Sequence, residues 1–228
     1  MSLRVRERLG VADAVTLANA GIGFVAAVAA IADPTLAARL VLLAAITDAL
    51  DGIVARRFGS TEVGPLLDSI TDVVSFGATP ALFLYAAVSV SWAGPLDAPP
   101  LALAGGLVVP SLFVAFSILR TGFYTVYVGE DEHRPGIQNT LASTILVTAY
   151  LSGLTTPAAL LALSVVVSVA MVAPFPLPKL RARDASVMGV VQAGAILAPT
   201  VLSRVFPRVL LVAAVAYAAL GPRYYWGE

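Results

Sequence analysis

Long runs of apolar residues, each about the length of a membrane span, constrain this chain more than any other feature. A hydrocarbon core about 30 Å thick takes about 20 mostly apolar residues per helix. Eight such runs can be marked, approximately Val15 to Ala32, Leu36 to Arg56, Pro65 to Ser89, Leu101 to Tyr127, Ile137 to Gly153, Ala158 to Phe175, Ser186 to Ser203 and Val205 to Leu220. Arg204, Pro207 and Arg208 interrupt the last two, which can also be read as a re-entrant pair. The composition agrees: 59% of the 228 residues are hydrophobic and 12% charged, against roughly 25% charged in a soluble domain. The expected fold is all-α, a polytopic membrane helix bundle, with residues 1–228 forming one domain.

Charge sets the orientation and excludes some functions. With the N-terminus inside, Arg4, Arg6, Arg8, Arg56, Arg57, Arg120, Arg134, Lys179, Arg181, Arg183 and Arg223 fall at cytoplasmic ends, leaving Arg39, Arg204 and Arg208 outside. That asymmetry satisfies the positive-inside rule. The basic start is followed by no small-residue cleavage site, so it reads as a cytoplasmic anchor and not as a signal peptide. A net charge of zero offers no field to gather nucleic acid. The absence of cysteine removes disulfides, thiolate metal sites and a Cys nucleophile. The single histidine, His133, sits in an acidic stretch from Gly129 to Pro135 that reads as a solvated turn.

Four carboxylates interrupt the apolar pattern. An Asp at the centre of a membrane helix costs roughly 2.5 to 3.5 kcal/mol on insertion scales, so each is a functional signal by default. Asp48 and Asp51 lie near the inner end of the second run, Asp68 and Asp72 near the inner start of the third. Spacings of three and four place each pair on one helical face, and the short connection makes the two helices antiparallel neighbours whose carboxylates converge. Such a group repels itself unless neutralised, and the natural partner is a hard divalent cation held by oxygen, Mg2+ or Mn2+. Gly52 and Ala55 leave a hollow on the Asp48–Asp51 face, and Arg56 can direct a guanidinium at a phosphate. Metal, arginine and a hollow face together describe a diphosphate site.

The run Asp48-x2-Asp51-Gly52-x2-Ala55-Arg56-x7-Gly64-x3-Asp68-x3-Asp72 resembles the signature of the CDP-alcohol phosphotransferase (CDP-alcohol phosphatidyltransferase) family at all eight defining positions. The resemblance implies a six-helix core with two further C-terminal helices, a CDP-lipid donor, two divalent ions and a homodimer. It implies that Asp48, Asp51 and Asp68 bind metal, with Asp72 joining the metal site or acting as base. Asp51, Gly52, Ala55, Arg56 and Gly64 are the implied CDP-lipid contacts, the small residues giving space to the cytidine nucleotide.

The continuation Leu67-Asp68-Ser69 through Asp72, Val74-Ser75-Phe76-Gly77 and Pro80 is similar to the phosphatidylserine synthase branch. The opening Ala12-Asp13, Thr16-Leu17, Asn19 and the segment Met171 to Lys179 echo it too, with Ala173 and Leu177 as departures. Departures also occur at Leu119-Arg120-Thr121-Gly122-Phe123-Tyr124 and Gly136-Ile137-Gln138-Asn139-Thr140, which mark a divergent subgroup. Thirteen Arg against one Lys, with heavy Ala and Val use, points to a GC-rich genome and suits an archaeal cell membrane and a CDP-archaeol donor. L-Serine is thus the expected acceptor, with CMP released and the site facing the cytoplasm. A glycerol-phosphate or inositol-phosphate acceptor is the alternative. A transporter would show related halves with interrupted helices, and a structural membrane protein has no use for four carboxylates.

The acceptor pocket is expected around Ser75, the Phe76–Gly77 break and Arg120, with Gln138 and Asn139 as further candidates. A guanidinium can hold the serine carboxylate with two parallel hydrogen bonds. Arg120 can instead snorkel to the interface or pair with one of the Asp residues.

Overall fold

The computed structural model describes residues 5–92, 97–128, 134–178, 180 and 182–224. Its elements are almost entirely helical: α1 (Val5–Arg8), α2 (Val11–Ala32), α3 (Pro34–Phe58), α4 (Gly64–Val73), α5 (Thr79–Ser89), α6 (Pro100–Phe123), α7 (Asn139–Leu151), α8 (Pro157–Val172), α9 (Ala182–Leu197) and α10 (Val201–Tyr224). A π-helical turn, Val74–Ala78, joins α4 to α5, and a second, Tyr124–Val128, extends α6. Each of the eight predicted apolar runs coincides with a helix or with the continuous α4–π–α5 rod. Among the described residues, four stretches are long and apolar enough to cross a membrane: Val11–Ala32, Gly64–Ser89, Pro100–Tyr127 and Val201–Arg223. Helices α7 and α8 are apolar but shorter, while α3 has the length, at 25 residues, and carries the charges of the site. Large side chains such as Phe24, Ile31, Leu101, Val166 and Val190 are exposed on the outer helix faces. Lipid, which is as apolar as they are, accounts for that exposure in an integral membrane protein.

Local chemistry explains the turns that matter. Asp33 alone separates α2 from α3; its carboxylate accepts from Thr35 N at 2.8 Å and Leu36 N at 3.1 Å, with Pro34 opening the helix. This cap and N1 proline force α2 and α3 into a tight antiparallel pair. Small buried residues, Ala26 and Ala30 on α2 and Ala37 and Ala38 on α3, let their backbones approach closely. Helix α7 forms the centre of the bundle, buried along nearly its whole length, and packs on α3, α8 and α10.

The sequence suggested a break at Phe76–Gly77, and the chain instead widens into the π-helical turn Val74–Ala78. Pro80 is the cause: it lacks an N–H, and its ring crowds the carbonyl four residues earlier. The Thr79 hydroxyl and N–H both turn back to Val74 O, the hydroxyl at 2.9 Å. Near its start α10 is kinked, with left-handed conformations at Leu202, Ser203 and Arg204, at the interruption expected at Arg204.

Two of the arginines assigned to the outer side close helix C-termini. Arg39 Nε donates to Ile196 O, at the end of α9, at 2.5 Å, and the Arg204 guanidinium lies over Gly153, just past the end of α7. Cations there complement the helix dipole. Residues 129–133 of the acidic turn, with His133, together with Lys179 and Arg181, lie outside the described residues, while its end, Arg134–Pro135, pairs antiparallel with Pro176–Leu177.

Candidate active site between the second, third and fourth helices

Two registers bring the carboxylates together. On the α2–α3 side, the Thr16 hydroxyl donates to Asp51 Oδ2 at 2.9 Å. On the α2–α4 side, Ser75 donates to Asn19 O at 3.2 Å and Thr79 to Gly23 O at 3.0 Å, partners 56 residues apart in both cases. The α4–π–α5 rod therefore runs parallel to α2, and α3 runs antiparallel to both. Gly23 permits the contact: a Cβ there would lie 2.5 Å from Ser75 Oγ and 3.0 Å from its Cα.

Asp48, Asp68 and Asp72 each offer a carboxylate oxygen within 4.8 Å of the others. The convergence expected from the spacing is thus present for three of the four. Asp68 is exposed, while Asp48 and Asp72 are half-buried, so the cluster opens towards Asp68. Asp51 shares the Asp48 face but stands outside the tight trio, buried and bonded to Thr16. Thr140, at the start of α7, reaches Asp48 Oδ2 at 3.4 Å. Three hard oxygen donors at this separation suit a divalent cation of the Mg2+ or Mn2+ type, so the donor set fits the implied metal.

The hollow beside the trio is present too. A Cβ on Gly52 would meet only the tip of Arg56, at 3.5 Å, and Ala55 is half-buried next to it. Arg56 is exposed at the end of α3. Gly64 packs closely, since a Cβ there would lie 2.9 Å from Ser60 Oγ and 3.1 Å from Asp13 Oδ1. Asp13, almost fully buried, accepts from Gly10 N at 2.7 Å and from the Thr61 hydroxyl at 2.8 Å. It thereby ties the start of α2 to the α3–α4 connection and closes one rim of the hollow.

The residues expected around the acceptor divide into two groups. Ser75, Phe76 and Gly77 are buried in helix packing. Ser75 bonds α2, Phe76 packs with Ile22, Ala44 and Ala45, and a Cβ on Gly77 would lie 2.5 Å from Ser117 Oγ. They back the site from below. Arg120 is 8% exposed, so it does not snorkel. Its Nε donates to Ile137 O at 2.9 Å, and its guanidinium stacks 5.0 Å from the Tyr124 ring centre. Asn139 is fully buried and donates to Thr121 Oγ1 at 2.8 Å. Gln138 is half-buried, and its carbonyl accepts from Ala142 N as α7 begins.

Sequence reasoning missed Thr16, Thr61 and Thr140, the hydroxyl partners of Asp51, Asp13 and Asp48. Thr16 was visible only as part of the opening motif, and the signal that it serves the site is its helical register with Asn19 and Gly23.

The chain matches the model of the CDP-alcohol phosphatidyltransferase family over residues 9–220. Among curated proteins it is similar to an archaetidylserine synthase of Methanothermobacter thermautotrophicus, 29% identical over 80% of this chain and 76% of that one. It is also similar to a CDP-diacylglycerol–serine O-phosphatidyltransferase of Methanocaldococcus jannaschii, 40% identical over 36% of this chain and 38% of the relative. A protein of the same description from Mycobacterium tuberculosis is 38% identical over 40% of this chain and 28% of its own length.

Proposed function

The chain belongs to the CDP-alcohol phosphatidyltransferase family, and from that premise we propose that it transfers a lipid phosphoryl group from a CDP-lipid to the hydroxyl of L-serine, releasing CMP. The observation that carries this is the Asp48, Asp68 and Asp72 trio, with the small residues Gly52 and Ala55 on the same helix as Asp48. The names of the relatives support serine as the acceptor, and the archaeal relative matched over 80% of the chain favours an archaeol-type donor.

In this function Asp48, Asp51 and Asp68 would hold Mg2+ or Mn2+, as a pair of ions, with Asp72 beside them in the same cluster. When bound, a divalent cation neutralises the diphosphate and the charge that builds on departing CMP. Gly52 and Ala55 leave room for the nucleotide against the α3 backbone, Gly64 shapes the rim beside it, and Arg56 faces the donor's phosphates. Asp72 takes the proton from the serine hydroxyl. The serine oxygen forms the new bond to the lipid phosphorus as the phosphorus–oxygen bond to CMP breaks. Arg120 receives the serine carboxylate, backed by Tyr124 and by the Ile137 carbonyl, with Gln138 and Asn139 at the start of α7 completing the wall. Ser75, Phe76 and Gly77 shape that wall through the helix packing they fix.

The site faces the cytoplasm, where the basic ends of the helices collect. Residues 1–228 act as one catalytic domain, and the homodimer implied by the family resemblance is retained.

An acceptor screen tests this. Purified protein with CDP-archaeol or CDP-diacylglycerol and Mn2+ should release CMP on addition of L-serine. Release that depends instead on glycerol phosphate or inositol phosphate overturns the serine assignment while leaving the family chemistry in place.

A further inference from the structure

Asn19 occupies an unusual place. It is fully buried on α2, and neither its Nδ2 nor its Oδ1 has a hydrogen-bond partner. An unsatisfied buried amide costs about 1–3 kcal/mol, so such a group calls for an explanation. Its level in the bundle follows from its neighbours. Antiparallel pairing puts Thr16 opposite Asp51, so the next buried position along α2, Asn19, falls opposite Asp48 one turn back on α3. The parallel register with the α4–π–α5 rod places Asn19 level with Ser75, which bonds its carbonyl, and Thr16 level with Asp72. One turn further along α2 the same interface is an apolar layer of Ile22, Ala44, Ala45 and Phe76. Asn19 therefore sits between that layer and the carboxylates, at the closed end of a site whose open end is Asp68.

We propose that Asn19 is a positioning residue for the carboxylate cluster, its carboxamide joined to Asp48 through a buried water. The amide donor and acceptor of Asn19 on one side and a carboxylate acceptor on the other are the polar partners a bridging water takes. Asn19 fixes the orientation of Asp48, as partners behind a ligand orient the ligands of a metal site. The inference rests on the metal role given to Asp48 above.

The test is Mn2+ binding to the purified full chain without substrate, read by electron paramagnetic resonance, together with the thermal midpoint in detergent. The wild type should bind Mn2+, and Asp48→Asn should abolish the tight site. Asn19→Leu should weaken Mn2+ binding about 10- to 100-fold, with a cooperative thermal transition showing that the variant still folds. Asn19→Ser leaves space for water and keeps a hydroxyl, and it should recover part of the loss; it also serves if the leucine variant does not fold. Equal Mn2+ affinity in wild type and a folded Asn19 variant overturns the role of Asn19 alone. Absence of Mn2+ binding in the wild type overturns the metal role of Asp48, and the Asn19 proposal with it.

Discussion

Arg120 Nε and the Ile137 carbonyl are 2.9 Å apart, so a backbone atom of the segment leading into α7 helps hold this buried arginine. The bond uses Nε and, with Tyr124 stacked on the guanidinium, sets the plane of the fork. A lysine supplies the charge but neither the Nε donor nor the flat face. Arg120→Lys should raise the KM for serine about tenfold or more while changing that for CDP-lipid only slightly. Initial rates against each substrate in turn decide it. A shift confined to CDP-lipid or metal dependence would place Arg120 on the donor side.

Gly136 holds the other end of that relationship. Its φ is +69, and a Cβ would collide with the carbonyl oxygen of Met171, while Gly136 N and Ile137 N bond the carbonyls of Phe175 and Ala170. Gly136→Ala meets a backbone atom that cannot rotate away, in a conformation that already disfavours a side chain. We expect a loss of stability of about 1–3 kcal/mol, read as a lower thermal midpoint, and a higher KM for serine through displacement of Ile137. An unchanged midpoint would contradict the close approach.

Asp72→Asn keeps the volume and removes the base. Turnover should fall about 10²- to 10⁴-fold with CDP-lipid binding largely intact, measured by titration of the lipid under non-turnover conditions. Parallel loss of lipid affinity and turnover would make Asp72 chiefly a metal ligand.

Thr16→Val is nearly isosteric and removes the hydroxyl that holds Asp51. Its effect should be about tenfold on the metal concentration needed for half-maximal activity, with the thermal midpoint little changed. A metal dependence identical to wild type would mean that Asp51 needs no such support.

The sequence made the helical architecture legible because lipid demands long apolar runs, and each run became a helix. The carboxylate convergence was legible for the same reason: Asp in such a run is costly, and offsets of three and four fix the face. What stayed hidden depends on contacts between distant helices. Nothing local says that Arg39 closes α9 or that Thr16 bonds Asp51. Nor does it say that Ser75, Phe76 and Gly77 are consumed by packing on α2, α3 and α6. The π-helical turn was half visible, since the break expected at Phe76–Gly77 fell where the helix widens, in a form only the surrounding packing decides.

The most direct measurement is incorporation of radiolabelled L-serine into lipid by the purified protein, given CDP-archaeol or CDP-diacylglycerol, first stripped of metal with EDTA and then resupplied with Mn2+ or Mg2+. Serine should enter the lipid fraction only when a divalent ion is restored, with one CMP released per serine incorporated. Asp48→Asn and Asp68→Asn should abolish it in protein that remains folded. Serine incorporation that persists without divalent ions, or near-normal rates in both variants, would contradict transfer at the α3–α4 carboxylates.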